Sequence, residues 1–95
     1  MIKRLVKMEF DSEQIEEFIM FVTPLKAKIK AVQGCLHLEF WRGIDSPTTI
    51  FTYSMWDSDY DLEQYRQSEL FKETWAVTKQ YFSDKPYAIS VQEIL

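Results

Sequence analysis

Three side chains that could carry out chemistry lie close together near the middle of the chain. Cys35, His37 and Glu39 occupy alternate positions of one segment, and side chains two residues apart on a strand share a face, about 6.6 Å apart. Cys35 and His37 could therefore form a thiolate–imidazole pair or supply two metal ligands. No other Cys or His completes a usual zinc set, so we expect no metal site.

His37 is the only histidine in the chain. Histidine is the side chain that most readily exchanges a proton near neutral pH, which makes His37 the candidate base for a substrate hydroxyl. The other interpretation is a strand histidine that only makes a structural hydrogen bond. The residue pattern leaves both interpretations open.

A second group of polar residues resembles the start of a calcium-binding loop. Asp57, Asp59 and Asp61 have the spacing of the first three ligands, but Leu62 occupies the position that requires glycine and Ser68 occupies the twelfth position. The motif therefore fails. We expect these carboxylates to cap a helix and to complement its dipole.

Arg4 is a charged residue on an otherwise apolar strand face. Alternation predicts a strand over Ile2–Phe10, and Arg4 shares one face of it with Val6 and Met8. A charge in that position needs a partner. We expect Arg4 to pair with an acid in a dimer, or to face an anionic group of a ligand.

The first half of the chain contains one long helical pattern. An apolar stripe at three- and four-residue spacing predicts a helix over residues 12–32, beginning with a capping box at Asp11 and Gln14. Pro24 must bend or split this helix because it lacks an N–H group and crowds the preceding turn. Gly34 is free to take the left-handed conformation after its end.

The second half begins with a hairpin and continues with a helix and a strand. Strands are predicted at Cys35–Arg42 and Thr48–Trp56, with Leu36, Leu38 and Phe40 on one face of the first and Cys35, His37, Glu39 and Trp41 on the other. A helical segment follows from residue 57 to about 82, with a fresh cap at Ser68. The last strand covers residues 87–95.

This order of elements predicts an α+β fold. Strand, helix, strand, strand, helix, strand is the ferredoxin-like βαββαβ arrangement, with a four-stranded antiparallel sheet and helices on one face. The other face is also rich in apolar residues, which would leave an isolated chain prone to aggregation. We therefore expect two chains to pack these faces together as a dimeric α+β barrel.

Length and composition narrow the possible functions. The chain has 95 residues, which we interpret as one domain over 1–95, and a net charge of −4. The acidic charge argues against nucleic-acid binding, and no stretch approaches the roughly 20 apolar residues of a membrane span. The single cysteine suits a reducing compartment, so we expect a cytoplasmic protein.

Two segments carry a resemblance to a known family. Gly34-Cys35 is similar to the Pro-Gly-Cys element of the antibiotic biosynthesis monooxygenase (ABM) family, with Gln33 where proline is usual. Residues 53–58 (YSMWDS), followed by Leu62, Tyr65, Ser68 and Leu70-Phe71-Lys72, resemble its Trp-Glu-Ser segment and the helix after it. The resemblance implies a dimeric α+β barrel and a cofactor-free monooxygenase that uses dioxygen on a small aromatic or quinol-type substrate.

The resemblance also suggests roles for individual residues. It implies that Trp56 forms a wall of a cavity between sheet and helices, and that Tyr65, where many members carry histidine, orients the substrate through its hydroxyl. Phe71, Trp75 and Tyr53 are the further substrate-binding candidates, and His37 would be the base.

Other activities of the family remain as alternatives. Its haem-degrading members use an Asn on the first strand, a Trp on the second helix and a His further along. Here the chain has no Asn, Tyr65 stands in place of that Trp, and Trp75 stands in place of that His, so haem degradation is disfavoured. A non-catalytic ligand-binding dimer and an isomerase of a small metabolite remain open.

Overall fold

Four strands and four α-helices form the fold in the computed structural model, which describes residues 1–95. The strands are β1 (Ile2–Glu9), β2 (Cys35–Arg42), β3 (Thr49–Trp56) and β4 (Tyr87–Val91). The helices are α1 (Ile15–Val22), α2 (Leu25–Lys30), α3 (Asp59–Arg66) and α4 (Glu69–Thr78), and a 3₁₀ turn at Lys79–Tyr81 follows.

The sheet has the strand order β2-β3-β1-β4, and every neighbouring pair is antiparallel. This confirms the predicted ferredoxin-like α+β fold. No helix has the length and apolar content that a membrane crossing requires.

Pro24 divides the first helical pattern into two helices, as its missing N–H predicts. α1 ends at Val22, and Pro24 is the N-cap of α2. The predicted start was wrong, because Asp11–Gln14 forms a turn in which Asp11 O accepts from the N–H of Gln14 and Ile15 at 2.9 and 3.1 Å. The predicted capping box does not form, since the Gln14 side chain makes no cap hydrogen bond.

Two serines start the helices of the second half. Ser58 Oγ accepts from Asp61 N at 3.1 Å, which begins α3. Ser68 Oγ accepts from Phe71 N at 3.2 Å and donates to Tyr65 O at 2.6 Å. The predicted fresh cap at Ser68 is confirmed, and the corner it makes brings the end of α3 and the start of α4 together.

A β-bulge at Leu36 changes the expected faces of β2. Cys35 lies opposite Trp56, whereas His37 lies opposite the next residue of β3, Met55. Leu36 is therefore the extra residue, and its side chain is 50% exposed. Its predicted place beside Leu38 was wrong, and Cys35 and His37 lie on opposite faces because a bulge shifts the side-chain alternation by one residue.

The helices cover one face of the sheet. On that side the core is a cluster of six buried apolar residues, namely Met8, Phe10, Ile15, Phe18, Val22 and Ile50. We call the opposite side the free face; it carries Lys3, Leu5 and Lys7 of β1, His37, Glu39 and Trp41 of β2, Phe51, Tyr53 and Met55 of β3, and Tyr87, Ile89 and Val91 of β4.

Candidate ligand-binding cavity

A cavity of about 280 Å³ lies between the sheet and the helices that cover it. Thirteen of its 19 lining residues are hydrophobic. Small-molecule pockets run from about 300 to 1,000 Å³ and are mostly apolar with a few polar groups. The cavity is thus just below this range and suits only a small aromatic ligand.

Four aromatic side chains form one continuous wall of this cavity. The rings of Trp56 and Tyr65 are stacked, with centroids 5.0 Å apart and planes at 24°. Tyr65 meets Phe71 edge to face at 5.2 Å, and Phe71 stacks on Trp75 at 5.9 Å. The structure therefore brings together four of the predicted site residues from β3, α3 and α4, and we call this group the aromatic wall.

Trp56 belongs to the core as well as to the cavity. It is only 1% exposed, and its indole Nε1 donates to Ser54 Oγ at 3.0 Å. Trp56 is thus a core residue and a wall of the cavity at once. Its hydrogen bond to Ser54 and its stacking on Tyr65 fix the orientation of the indole ring.

Tyr65 is suited to hydrogen bonding and unsuited to accepting a proton as a base. Burial raises the pKa of Tyr65 to about 12, with the nearby Cys35 as a smaller cause. At neutral pH its hydroxyl is therefore protonated and can donate a hydrogen bond to a ligand. The same burial raises the pKa of the Cys35 thiol, so this thiol is also protonated near neutrality.

His37 and Tyr53 do not line the cavity. His37 Nε2 contacts the Glu39 carboxylate, and Trp41 Nε1 donates to Glu39 Oε1 at 2.7 Å. Tyr53 stacks on Trp41 at 5.0 Å. Both were predicted beside the substrate, but after the bulge the alternation of β2 and β3 places them on the free face, with the sheet between them and Tyr65.

Glu39 is held as a carboxylate by these neighbours. The hydrogen bond from His37 lowers the pKa of Glu39 most, and the bond from Trp41 adds to this effect. The hydrogen bonds of His37, Glu39 and Trp41 are therefore made to one another on the free face. None of these three side chains points into the cavity.

Arg4 provides a positive charge inside the cavity. It lines the pocket together with Arg66, and its Nη1 donates to Ser90 Oγ at 3.0 Å. Burial lowers the pKa of Arg4, the charge of Arg66 lowers it further, and Glu63 and Asp59 act in the opposite direction. No acid of this chain forms an ion pair with Arg4.

Sequence reasoning missed Ser54 and Ser90. Both lie directly beside Arg4 in the sheet register, Ser54 on β3 and Ser90 on β4. Ser54 lies two residues before Trp56 on β3, so the two side chains point to the same face of the sheet. This spacing could have placed Ser54 on the cavity side. Nothing in the sequence of β4 indicates which of its residues lies beside Arg4.

Gly34 makes the approach of α3 to the end of β3 possible. It has φ = +85°, as predicted from its place after the helix, and its carbonyl accepts from Asp57 N at 2.8 Å. A Cβ at this position would lie 2.3 Å from Asp61 Cβ. Glycine is thus required both for the conformation and for the space beside the start of α3.

Comparison with known proteins gives a family and a fold. A family model described as antibiotic biosynthesis monooxygenase matches residues 1–77. No curated protein matches the chain by sequence.

Solved structures agree closely over the whole chain. A conserved protein from Methanosarcina mazei Go1 has a TM-score of 0.93 at 17% identity, over 98% of this chain and 92% of that one. A structure described as antibiotic biosynthesis monooxygenase has a TM-score of 0.93 at 14% identity, over 100% of both chains. Rv0793 from Mycobacterium tuberculosis has a TM-score of 0.89 at 10% identity, over 98% and 94%. At these identities the likeness shows the fold.

Proposed function

Because this chain belongs to the antibiotic biosynthesis monooxygenase family, we propose that it is a cofactor-independent monooxygenase of a small aromatic or quinol-type substrate. The observation that carries the proposal is the cavity of about 280 Å³ with its aromatic wall. An electron-rich ring fits there by stacking, and the apolar lining keeps water away from a reactive intermediate.

The reaction that suits such a site needs no group beyond substrate and dioxygen. An ionised quinol or anthrone passes an electron to dioxygen, and recombination adds oxygen to the ring. For an anthrone the products are the anthraquinone and water, and for a hydroquinone they are the hydroxyquinone and water, so one oxygen atom enters the substrate and the other leaves as water. In this scheme Trp56 contacts the ring and the Tyr65 hydroxyl hydrogen-bonds to its oxygen.

The cavity contains no side chain suited to remove the substrate proton. His37 lies on the free face, and Tyr65, with a pKa of about 12, stays protonated. The lining includes arginine, serine and threonine but no carboxylate or imidazole. We therefore restrict the proposed substrates to compounds that ionise readily, such as hydroquinones and anthrones, whose proton can pass to water.

Oxygen consumption by the purified protein tests this function. Anthrone and 1,4-naphthohydroquinone are added separately, and oxygen uptake is corrected for oxidation without protein. We expect protein-dependent uptake, reduced about tenfold by Tyr65→Phe through loss of one hydrogen bond to the substrate. Tyr60→Phe, at a 70% exposed tyrosine outside the cavity, is the matched control and leaves uptake unchanged. No protein-dependent uptake with either compound contradicts the proposal.

The same lack of a base favours a second candidate, a dimer that binds a small aromatic ligand without converting it. Binding of a ring would then quench the fluorescence of Trp56 and Trp75 while oxygen uptake stays at the background rate. An isomerase is less well supported, because acid and base groups directed into the cavity would be needed for proton transfer.

We also propose that the chain acts as a homodimer whose free faces pack together. Trp41, Tyr87 and Ile89 are 43%, 61% and 38% exposed on this face, and exposed apolar patches on a sheet mark sites of protein contact. Light scattering should give twice the 11.4 kDa mass of the chain. Trp41→Glu should yield monomers, whereas Ile44→Glu, in an exposed turn, should not. A monomeric wild-type protein at micromolar concentration contradicts the dimer.

We place this activity in the cytoplasm and in one domain of residues 1–95. The support is the free thiol of Cys35, since single unpaired cysteines are typical of reducing compartments. Recovery of the protein in the cytoplasmic fraction of the cells that produce it is the expected result.

A further inference from the structure

Three polar side chains form a row across the sheet on the side that the helices cover. Arg4 of β1 lies opposite Ser54 of β3 and opposite Ser90 of β4. Side chains of directly paired residues point to the same face and are close neighbours. The hydrogen bond from Arg4 to Ser90 confirms one of these contacts.

Arg4 differs from the other arginines of the chain in having no acidic partner. Arg42 pairs with Glu16 at 3.1 Å, and Arg66 pairs with Glu63 at 3.2 Å. Arg4 is the more buried cation and hydrogen-bonds only to the neutral Ser90 hydroxyl. Glu63 and Asp59 act on Arg4 only from a distance. A partly buried charge that no carboxylate contacts is costly, so this position favours an anion from outside the chain.

The two serines add further donors to the same place. Ser54 Oγ accepts from Trp56 Nε1, and Ser90 Oγ accepts from Arg4, so each hydroxyl still has its own proton to donate. A guanidinium has only donors, and it binds carboxylates and other anionic oxygens best. The row therefore offers several free donors and one positive charge, beside Trp56 of the aromatic wall.

We propose that Arg4, flanked by Ser54 and Ser90, binds an anionic oxygen carried by an aromatic ligand whose ring lies against the aromatic wall. The anionic oxygen is a phenolate or a carboxylate. This inference rests on the proposed function, because it assumes that the cavity is the substrate site. It also supplies what the cavity lacks, since a cation beside a quinol oxygen favours loss of its proton to water without a protein base.

Binding of matched probes tests the carboxylate form of the ligand. Calorimetry compares 2-naphthoate with the neutral 2-naphthalenemethanol, which has the same ring system. We expect wild-type protein to bind the carboxylate about tenfold more tightly or better, as a charge-assisted contact implies. Arg4→Gln should bring the two affinities within about twofold, and Arg4→Lys should restore part of the preference.

Absorbance of bound 2-naphthol tests the phenolate form. We expect bound 2-naphthol to ionise at lower pH than free 2-naphthol, and Arg4→Gln to abolish the difference. Lys72→Gln removes the same charge from an exposed helix position outside the cavity and is the matched control in both experiments. If Arg4→Gln fails to fold, Ser90→Ala, at an exposed position, should still weaken the preference about two- to threefold.

Each outcome decides the proposal. A carboxylate preference or a naphthol shift that depends on Arg4 supports it and identifies the anionic group. Equal binding of charged and neutral probes with no naphthol shift overturns it while leaving the proposed oxygenation intact. A preference that survives Arg4→Gln also overturns it. Failure of all three probes to bind overturns it and separately removes the support for a substrate site in the cavity.

Discussion

The two faces of the sheet are both rich in aromatic residues, but their polar groups differ in how they are satisfied. On the free face, His37, Glu39 and Trp41 hydrogen-bond to one another. On the covered face, Arg4 forms no ion pair with an acid. The raised pKa of Tyr65 comes from burial and from Cys35, and no hydrogen bond to its hydroxyl contributes to it. Beside the cavity, a guanidinium and a phenol hydroxyl therefore remain available to a ligand.

This difference separates two kinds of apolar surface. The polar side chains of β2 on the free face are already paired, so another protein surface can cover them without leaving them unsatisfied. A cavity whose donors remain free gains most from a ligand that brings acceptors. This difference supports the two proposals made above, namely protein contact on the free face and ligand contact on the covered one.

The largest effect should come from truncating one tryptophan on each face. Trp56→Ala should lower the free energy of unfolding by about 3–5 kcal/mol, because Trp56 is fully buried. Trp41→Ala should lower it by less than about 1 kcal/mol in protein dilute enough to be monomeric, because Trp41 is 43% exposed. Denaturant unfolding measures both, and equal losses would contradict the distinction between the faces.

Gly34→Ala should weaken the attachment of α3, which carries Tyr65 of the covered face. The substitution meets both a positive φ and a close contact with Asp61, and we expect a loss of roughly 1–3 kcal/mol. Gly43→Ala in the hairpin turn has no positive φ but would place a Cβ 2.5 Å from Ser46 O, so it serves as a comparison for crowding without the left-handed backbone. Unchanged thermal stability of Gly34→Ala would show that the approach of α3 is not constrained.

Tyr65→Phe should change stability only at alkaline pH. The folded state raises the pKa of Tyr65 from 10.0 to about 12, so its contribution is complete below pH 10 and is lost as pH rises toward 12. Wild-type protein should lose roughly 2–3 kcal/mol more than the variant over this interval. Tyr60→Phe should behave as the wild type, and parallel curves for Tyr65→Phe and wild type would refute the burial of this phenol.

The smallest effect should come from Glu39 on the free face. Its pKa is lowered in the folded state, so its stabilisation is present above the ordinary carboxyl pKa and is lost as pH falls through the folded value. His37→Gln removes the largest cause and should move the Glu39 titration, followed by NMR, toward the ordinary value. Lys7→Gln, on the same face but away from Glu39, should leave that titration in place.

The topology could be predicted because its signals are local. Pro24, Ser68 and Gly34 act through their own backbone and cap chemistry, and each did what its residue type predicts. The alternation of β1 likewise placed Arg4, Val6 and Met8 on one face, which in the structure is the covered one. The start of α1 was missed because a turn at Asp11 uses the same residue types as a capping box.

The candidate site was predicted only in part. The aromatic residues Trp56, Tyr65, Phe71 and Trp75 do lie together, but His37 and Tyr53 lie on the other face. The alternation of side chains along β2 and β3 could indicate that His37 and Tyr53 share a face with Glu39 and Trp41. It could not indicate which of the two apolar faces the helices would cover.

The amino-acid sequence by itself determined the order of the elements, the break at Pro24 and the aromatic character of both sheet faces, because caps, turns and alternation depend on neighbours along the chain. Only the tertiary structure decided that Ser54 and Ser90 flank Arg4 and that His37 is turned away from Tyr65. Those relations depend on strand register and on the bulge at Leu36, which are set by packing between residues far apart in the chain.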